Sequence, residues 1–143
     1  MAKPAIWLKV DPKRSELMRG VRRNGTALEQ EVALICTSLG MRFRKNVKNL
    51  PGTPDFANKS RKWALFAHGC FWHHHASCHL AKVPARNAKA WQTKLQGNRR
   101  RDARKIRDLK QLGYCVSVVW QCELKNSNRI IRRISNLTKA RVV

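Results

Sequence analysis

The chain has 143 residues, 43% of them hydrophobic, and 31 Lys plus Arg against 8 Asp plus Glu give a formal net charge of +23. That length fits one domain with enough apolar material for a core, and the scarcity of acids excludes a solvating acidic tail. So large a positive excess makes nucleic acid the first partner to consider and an anionic membrane surface the second.

No run approaches the roughly 20 consecutive apolar residues of a membrane span, and the N-terminus MAKPAIWLKVDPKR has no secretory apolar region or cleavage site, so the expected location is the cytoplasm with no membrane partner. Five cysteines, an odd number in a chain without an export signal, argue against a disulfide framework and for metal or buried-thiol roles. There is no internal repeat or Gly/Ser linker, and basic residues run from end to end, so residues 1–143 read as a single domain.

Thr26 followed by Glu29 is a capping box, and Leu28, Val32, Ile35 and Leu39 then recur at helical spacing until Gly40 stops the helix. Short strand-like pieces follow at Met41–Asn46, at Pro54–Ala57 after the turn-rich LPGTP, and at Trp63–Ala67, which predicts a small antiparallel meander. His68–Leu80 holds five histidines and two cysteines without a period and reads as an irregular loop suited to a site. Asn87 is placed to cap a long helix that runs to about Leu112 and ends at Gly113. Its apolar face carries Trp91, Leu95, Ile106 and Leu109, and the same series passes through Asn98 and Asp102, two polar groups that need partners. Tyr114–Trp120 is a continuous apolar strand, expected to be central and covered on both faces. A last helix carries Ile130, Ile131, Ile134 and Leu137. The order predicts an α/β fold in which a mixed sheet receives its last strand through a helical crossover, parallel to a neighbour.

Cys70, His75 and Cys78 lie within nine residues, and Cys122 follows the most apolar strand. Thiolates and an imidazole gathered by tight loops, with a remote fourth ligand, suit a tetrahedral zinc site. The plainer alternative makes these cysteines buried small hydrophobes and the histidines a solvated run. Cys36 and Cys115 fall on apolar faces and read as core, as do Trp63, Trp91 and Trp120.

The strings LPGTPDF (50–56), HGCFWHHH (68–75) and VVWQCEL (118–124), with Met18, Arg19 and Glu29 near the start and Trp91, Lys94, Asn98 and Asp102 on the long helix, together resemble the very short patch repair (Vsr) DNA mismatch endonucleases. The resemblance covers nearly the whole chain. It implies a zinc-bearing variant of the restriction-endonuclease fold, of the PD-(D/E)xK type, that uses magnesium to nick one strand beside a T:G mismatch. It also implies that Asp55 binds the catalytic Mg2+, the physical reason being that phosphodiester cleavage needs a hard cation held by carboxylate oxygen. Ala67 would serve the same metal through its backbone carbonyl, where relatives often carry Thr; the second acid and the lysine usual on that strand are absent. By the same carry-over His73 is the general base, His68 a second active-site histidine, Glu29 an acid that holds metal-bound water as well as capping its helix, and Asp102 the group that orients an imidazole.

Cys70, His75, Cys78 and Cys122 match the Zn2+ ligands, but an extra residue in HHHASC leaves His74 or His79 as alternatives to His75. Phe71 and Trp72 match aromatics that enter the DNA stack, and Met18 a wedge from the opposite groove, with Arg19, Lys94 and Asn98 as further DNA contacts. Lys94, Arg99, Arg100, Arg101, Arg104, Lys105 and Arg107 load the long helix with charge for phosphate. The expected partner is mismatched double-stranded DNA, met as a monomer, with a mismatch-repair protein as a candidate recruiter. Two readings compete. A weakly catalytic zinc-stabilised DNA-binding module gives no reason to retain Asp55, His68 and His73, and an RNA-binding protein of ribosomal type is suggested by charge alone. Mismatch repair and defence against foreign DNA are not separated by the sequence.

Overall fold

Residues 26–139 are described by the computed structural model of this chain. In order they form α1 (Ala27–Ser38), β1 (Arg44–Lys45), β2 (Phe56–Asn58), β3 (Trp63–His68), α2 (Ala88–Gln111), β4 (Cys115–Trp120) and α3 (Ser127–Lys139), with short 3-10 turns at His79–Ala81 and Gln121–Lys125. The expected site residues Met18 and Arg19 lie outside the described residues.

The capping box forms as expected. The Thr26 hydroxyl oxygen accepts the Glu29 N–H at 3.2 Å, and the Glu29 carboxylate accepts the Thr26 N–H at 3.0 Å, satisfying two helix-end donors. Leu28, Val32, Ile35 and Cys36 turn inward, whereas Leu39 closes the helix and is exposed.

The sheet order is β1-β2-β3-β4, antiparallel through β3 and parallel between β3 and β4. This is the mixed α/β sheet that the element order predicts, with β1 reduced to two residues. One expectation fails. Among the described residues β4 stands at the sheet's edge, and the more buried inner strand is β3. The apolar run of β4 reports cover on two faces and not a central place. Val119 and Cys115 pack with α1 and α3 on one side, while Val116 and Val118 pack with Leu109 of α2 on the other. A continuous apolar strand is compatible with either position.

Side chains alternate across β3 accordingly. Trp63 and Leu65 enter the first cluster, with Phe56, Val32, Ile130 and Ile134, and Ala64 and Phe66 enter the second, with Val47, Leu50 and Tyr114. A third, smaller cluster of Phe71, Trp91 and Leu95 lies under the histidine-rich segment. On α3, Ile130, Ile134 and Leu137 are buried, whereas Ile131 is exposed. Asn87 starts α2 through a left-handed backbone conformation (φ 58°, ψ 35°) and makes no side-chain cap, so its value lies in tolerating that conformation. Gly52, in the turn before β2, has φ +76°, and a Cβ there would stand 2.6 Å from the Lys105 stem, so the turn seats directly on α2.

Candidate active site and metal centre

The parallel pairing of β3 with β4 builds both halves of the site. His68 and Trp120 end the two strands side by side in register. Two residues further along each strand the chain reaches Cys70 and Cys122, and the Cys122 N–H points at Cys70 Sγ, 3.3 Å away. Between Gly69 and Cys78 the chain is wound tightly. The His73 N–H reaches the Gly69 carbonyl at 3.2 Å, the His75 N–H reaches the Cys70 carbonyl at 2.9 Å, and His74 and Ser77 take positive φ. That winding brings His75 and Cys78 back to the paired cysteines.

One ligand atom from each of Cys70, His75, Cys78 and Cys122 lies within 4.8 Å of the others. Zinc bonds of about 2.3 Å to sulfur and about 2.0 Å to nitrogen make the edges of a tetrahedron roughly 3.5 to 3.8 Å long. Cys122 Sγ and His75 Nδ1 are 3.6 Å apart, so the donors fit such an ion. Burial pushes the Cys70 thiol up to about 12, the direction that makes a bare thiolate unfavourable there and a metal-bound one the natural form. His75, and not His74 or His79, completes the group.

The second half begins at β2. The Asp55 carboxylate accepts the Ala67 N–H of β3 at 2.7 Å and also contacts the Glu29 carboxyl from α1. Burial pushes Asp55 up to about 7; the Ala67 hydrogen bond opposes that rise and Glu29 adds to it. Two adjoining acids, one of them strongly disfavoured as an anion, fit a hard divalent cation whose charge would relieve both. Glu29 thus caps its helix, its Oε2 accepting the Thr26 N–H, and at the same time lies beside Asp55.

Immediately after Ala67, His68 is buried and its ring stacks on that of His73, with centroids 3.7 Å apart and planes 3° from parallel. Asp102 of α2 accepts a hydrogen bond from His73 Nδ1 at 2.6 Å. Burial alone would raise Asp102, but the His73 hydrogen bond and the charges of His73, His68 and Lys105 outweigh it and hold the carboxyl below its ordinary range. Burial, with His73 adding to it, drives His68 down to about 3, so this imidazole is neutral. Its Nδ1 is buried and has no hydrogen-bond partner among the described residues.

A profile of the family described as DNA mismatch endonuclease Vsr matches residues 9–80. The chain is 42% identical over 125 residues to the type II nicking enzyme V.XorIIP of Xanthomonas oryzae pv. oryzae, which covers 87% of this chain and 91% of that protein. It is 41% identical over 117 residues to the DNA mismatch endonuclease Vsr of Escherichia coli, covering 82% of this chain and 74% of the relative. The chain belongs to the Vsr family.

Among the described residues that suggested Vsr from sequence, two groups come together, Cys70, His75, Cys78 and Cys122 in one and His68, His73 and Asp102 in the other. Asn98 and Asp102 find the partners they need: Asn98 donates from Nδ2 to the Trp72 carbonyl at 2.9 Å and Asp102 accepts from His73, so both polar groups of α2 hold the histidine-rich segment. Phe71 is buried against Trp91 and Leu95, whereas Trp72 is only partly buried beside it, so Trp72 is the aromatic at the surface. Lys94 is exposed on α2. Two contributors were missed. Lys105 was read only as one charge on a basic face, yet its Nζ stands 4.0 Å from Asp102 Oδ1. Trp120 was read as ordinary core, yet its ring stacks on His75 with centroids 3.9 Å apart and meets His68 edge-on at 5.2 Å. The register of β3 with β4 creates that contact, and no local sequence signal encodes it.

Proposed function

We propose that this Vsr-family chain acts as a single domain spanning residues 1–143, a restriction-endonuclease-like variant of the PD-(D/E)xK type that nicks one strand of duplex DNA beside a T:G mismatch. The observation that supports this best is the joining of two half-sites at the end of β3. Ala67 holds Asp55, next to Glu29, and the adjacent His68 stacks on His73, which Asp102 orients. Asp55, with Glu29 and the Ala67 carbonyl beside it, would hold Mg2+, and Cys70, His75, Cys78 and Cys122 would hold a structural Zn2+. When bound, magnesium supplies neutralisation of the charge that develops on the phosphate.

The protein's own groups do the rest. Asp102 keeps the proton on His73 Nδ1 and leaves Nε2 as the base. His73 Nε2 takes a proton from water as the water oxygen bonds to phosphorus and the bridging P–O bond to the leaving strand end breaks. Neutral His68 fixes the plane of His73. Exposed Arg99, Arg100, Arg101 and Arg104 supply phosphate contacts that bind any duplex, with Lys94 and Asn98 nearer the histidine segment. Trp72, backed by Phe71, is the wedge that unstacks a weakened base step, so that a mismatch is opened at lower cost than a paired step.

A nicking assay on supercoiled plasmid carrying the mismatch, with magnesium present, tests the reading. Conversion to the open circle by the unaltered chain and strong loss with Asp102→Asn support it; linear product or no conversion refutes it.

A further inference from the structure

His68 is buried, and among the described residues its Nδ1 has no hydrogen-bond partner to set the ring's rotation. The rings around it do that instead. His73 stacks on it at 3.7 Å, Trp120 meets it edge-on at 5.2 Å with planes at 75°, and Phe66 lies at 5.5 Å. Torsions about the bond to an imidazole ring are broad, so removing one of these walls frees a soft rotation. Trp120 in turn is stacked on His75, one of the four candidate zinc ligands, at 3.9 Å and 7° from parallel. The backbone of Trp120 is also held, because its N–H donates to Glu123 Oε1 at 2.9 Å and buried Glu123 is gripped by Arg133 at 2.9 Å. An unbroken series of ring contacts therefore runs from His75 through Trp120 and His68 to His73 and Asp102.

We propose that Trp120 is a positioning residue that transmits the placement of His75 in the metal centre to the His68–His73 pair, so that the zinc site sets the orientation of the base as well as stabilising the fold. This rests on the reading of His73 as the base. An indole suits the task, since it has a large rigid face for stacking and an edge for the T-shaped contact. The arrangement gives a metal site that touches no reacting atom a defined effect on the reaction.

The test compares Trp120→Leu, which keeps apolar bulk but no ring, with Trp120→Phe, which keeps a ring, and with His75→Cys, which keeps a zinc ligand but removes the ring stacked on Trp120. Zinc content, affinity for mismatched duplex, single-turnover nicking and the NMR signals of the His68 and His73 ring protons are measured on zinc-loaded protein. Trp120→Leu and His75→Cys are expected to retain zinc and duplex binding, to nick about 10- to 100-fold more slowly, and to shift both histidine ring signals. Trp120→Phe should recover most of the rate. The double variant should be no slower than the slower single one, because both changes break the same series. Full-rate nicking by zinc-loaded Trp120→Leu, unmoved ring signals, or losses that multiply in the double variant would overturn the proposal. Should Trp120→Leu fail to fold, Trp120→Phe and His75→Cys carry the same comparison. The ring signals do not depend on turnover, so they decide the coupling even if His73 is not the base.

Discussion

Asp55 offers a prediction that separates a site residue from a structural one. Its carboxyl is pushed up to about 7 from an ordinary 3.8, first by burial and then by Glu29, against the Ala67 hydrogen bond. A group whose folded value is raised contributes stability that is fully present below its unfolded value and is lost as pH rises through the folded value. Without magnesium the protein should therefore lose stability between about pH 4 and pH 7, and the gap corresponds to at most about 4 kcal/mol above pH 7. Asp55→Asn keeps an oxygen for the Ala67 N–H but cannot ionise. It should match the original chain at pH 4, be more stable by about 2 to 4 kcal/mol at pH 8, and nick nothing. Urea denaturation across this pH range, on zinc-loaded protein without magnesium, reads the difference. Adding magnesium at pH 8 should raise the stability of the original chain and leave that of the variant nearly unchanged. An Asp55→Asn protein less stable than the original at pH 8, or one that still nicks, would refute the reasoning.

Three further outcomes are expected. Cys122→Ser should release zinc and lower stability by several kcal/mol, while Cys36→Ala, a change in a buried thiol pushed up by burial to about 11, should keep zinc and cost only about 1 to 2 kcal/mol; metal analysis and thermal melts check both. Asp102→Asn should slow single-turnover nicking by about 100- to 10,000-fold with duplex affinity retained, because an uncharged amide, which can also turn its NH2 toward the ring, no longer fixes the proton on His73 Nδ1. Trp72→Ala should weaken binding to a mismatched duplex by about 1 to 3 kcal/mol and alter binding to paired DNA much less, measured at one stated salt concentration. Phe71→Ala should in addition lower the melting temperature, because Phe71 packs on Trp91 and Leu95.

The helices and three of the four candidate metal-binding side chains were legible because their signals are local. Thr26 and Glu29 announce the start of α1, and Cys70, His75 and Cys78 share one segment. The partners of Asn98 and Asp102 were only half legible: helical spacing places them on one face, but nothing nearby says that the face meets the histidine segment. The edge position of β4 and the role of Trp120 depend on which strand pairs with which and in what register, a long-range choice without a short-range mark. Asp55 presented itself as a turn residue after Pro-Gly, and its contact with Glu29 from α1, together with its hydrogen bond across the sheet, is what makes it a candidate site acid.

The account rests on mismatch-directed nicking by the centre that Asp55, His68, His73 and Asp102 form with Trp72 beside them. Zinc-loaded protein and magnesium should be given end-labelled duplexes identical except for one T:G mismatch or its fully paired counterpart, at a fixed moderate salt concentration. The account predicts a single-strand nick beside the mismatch, with the paired duplex left essentially intact. Equal cleavage of both duplexes, or none of either by folded, zinc-loaded protein, would contradict it.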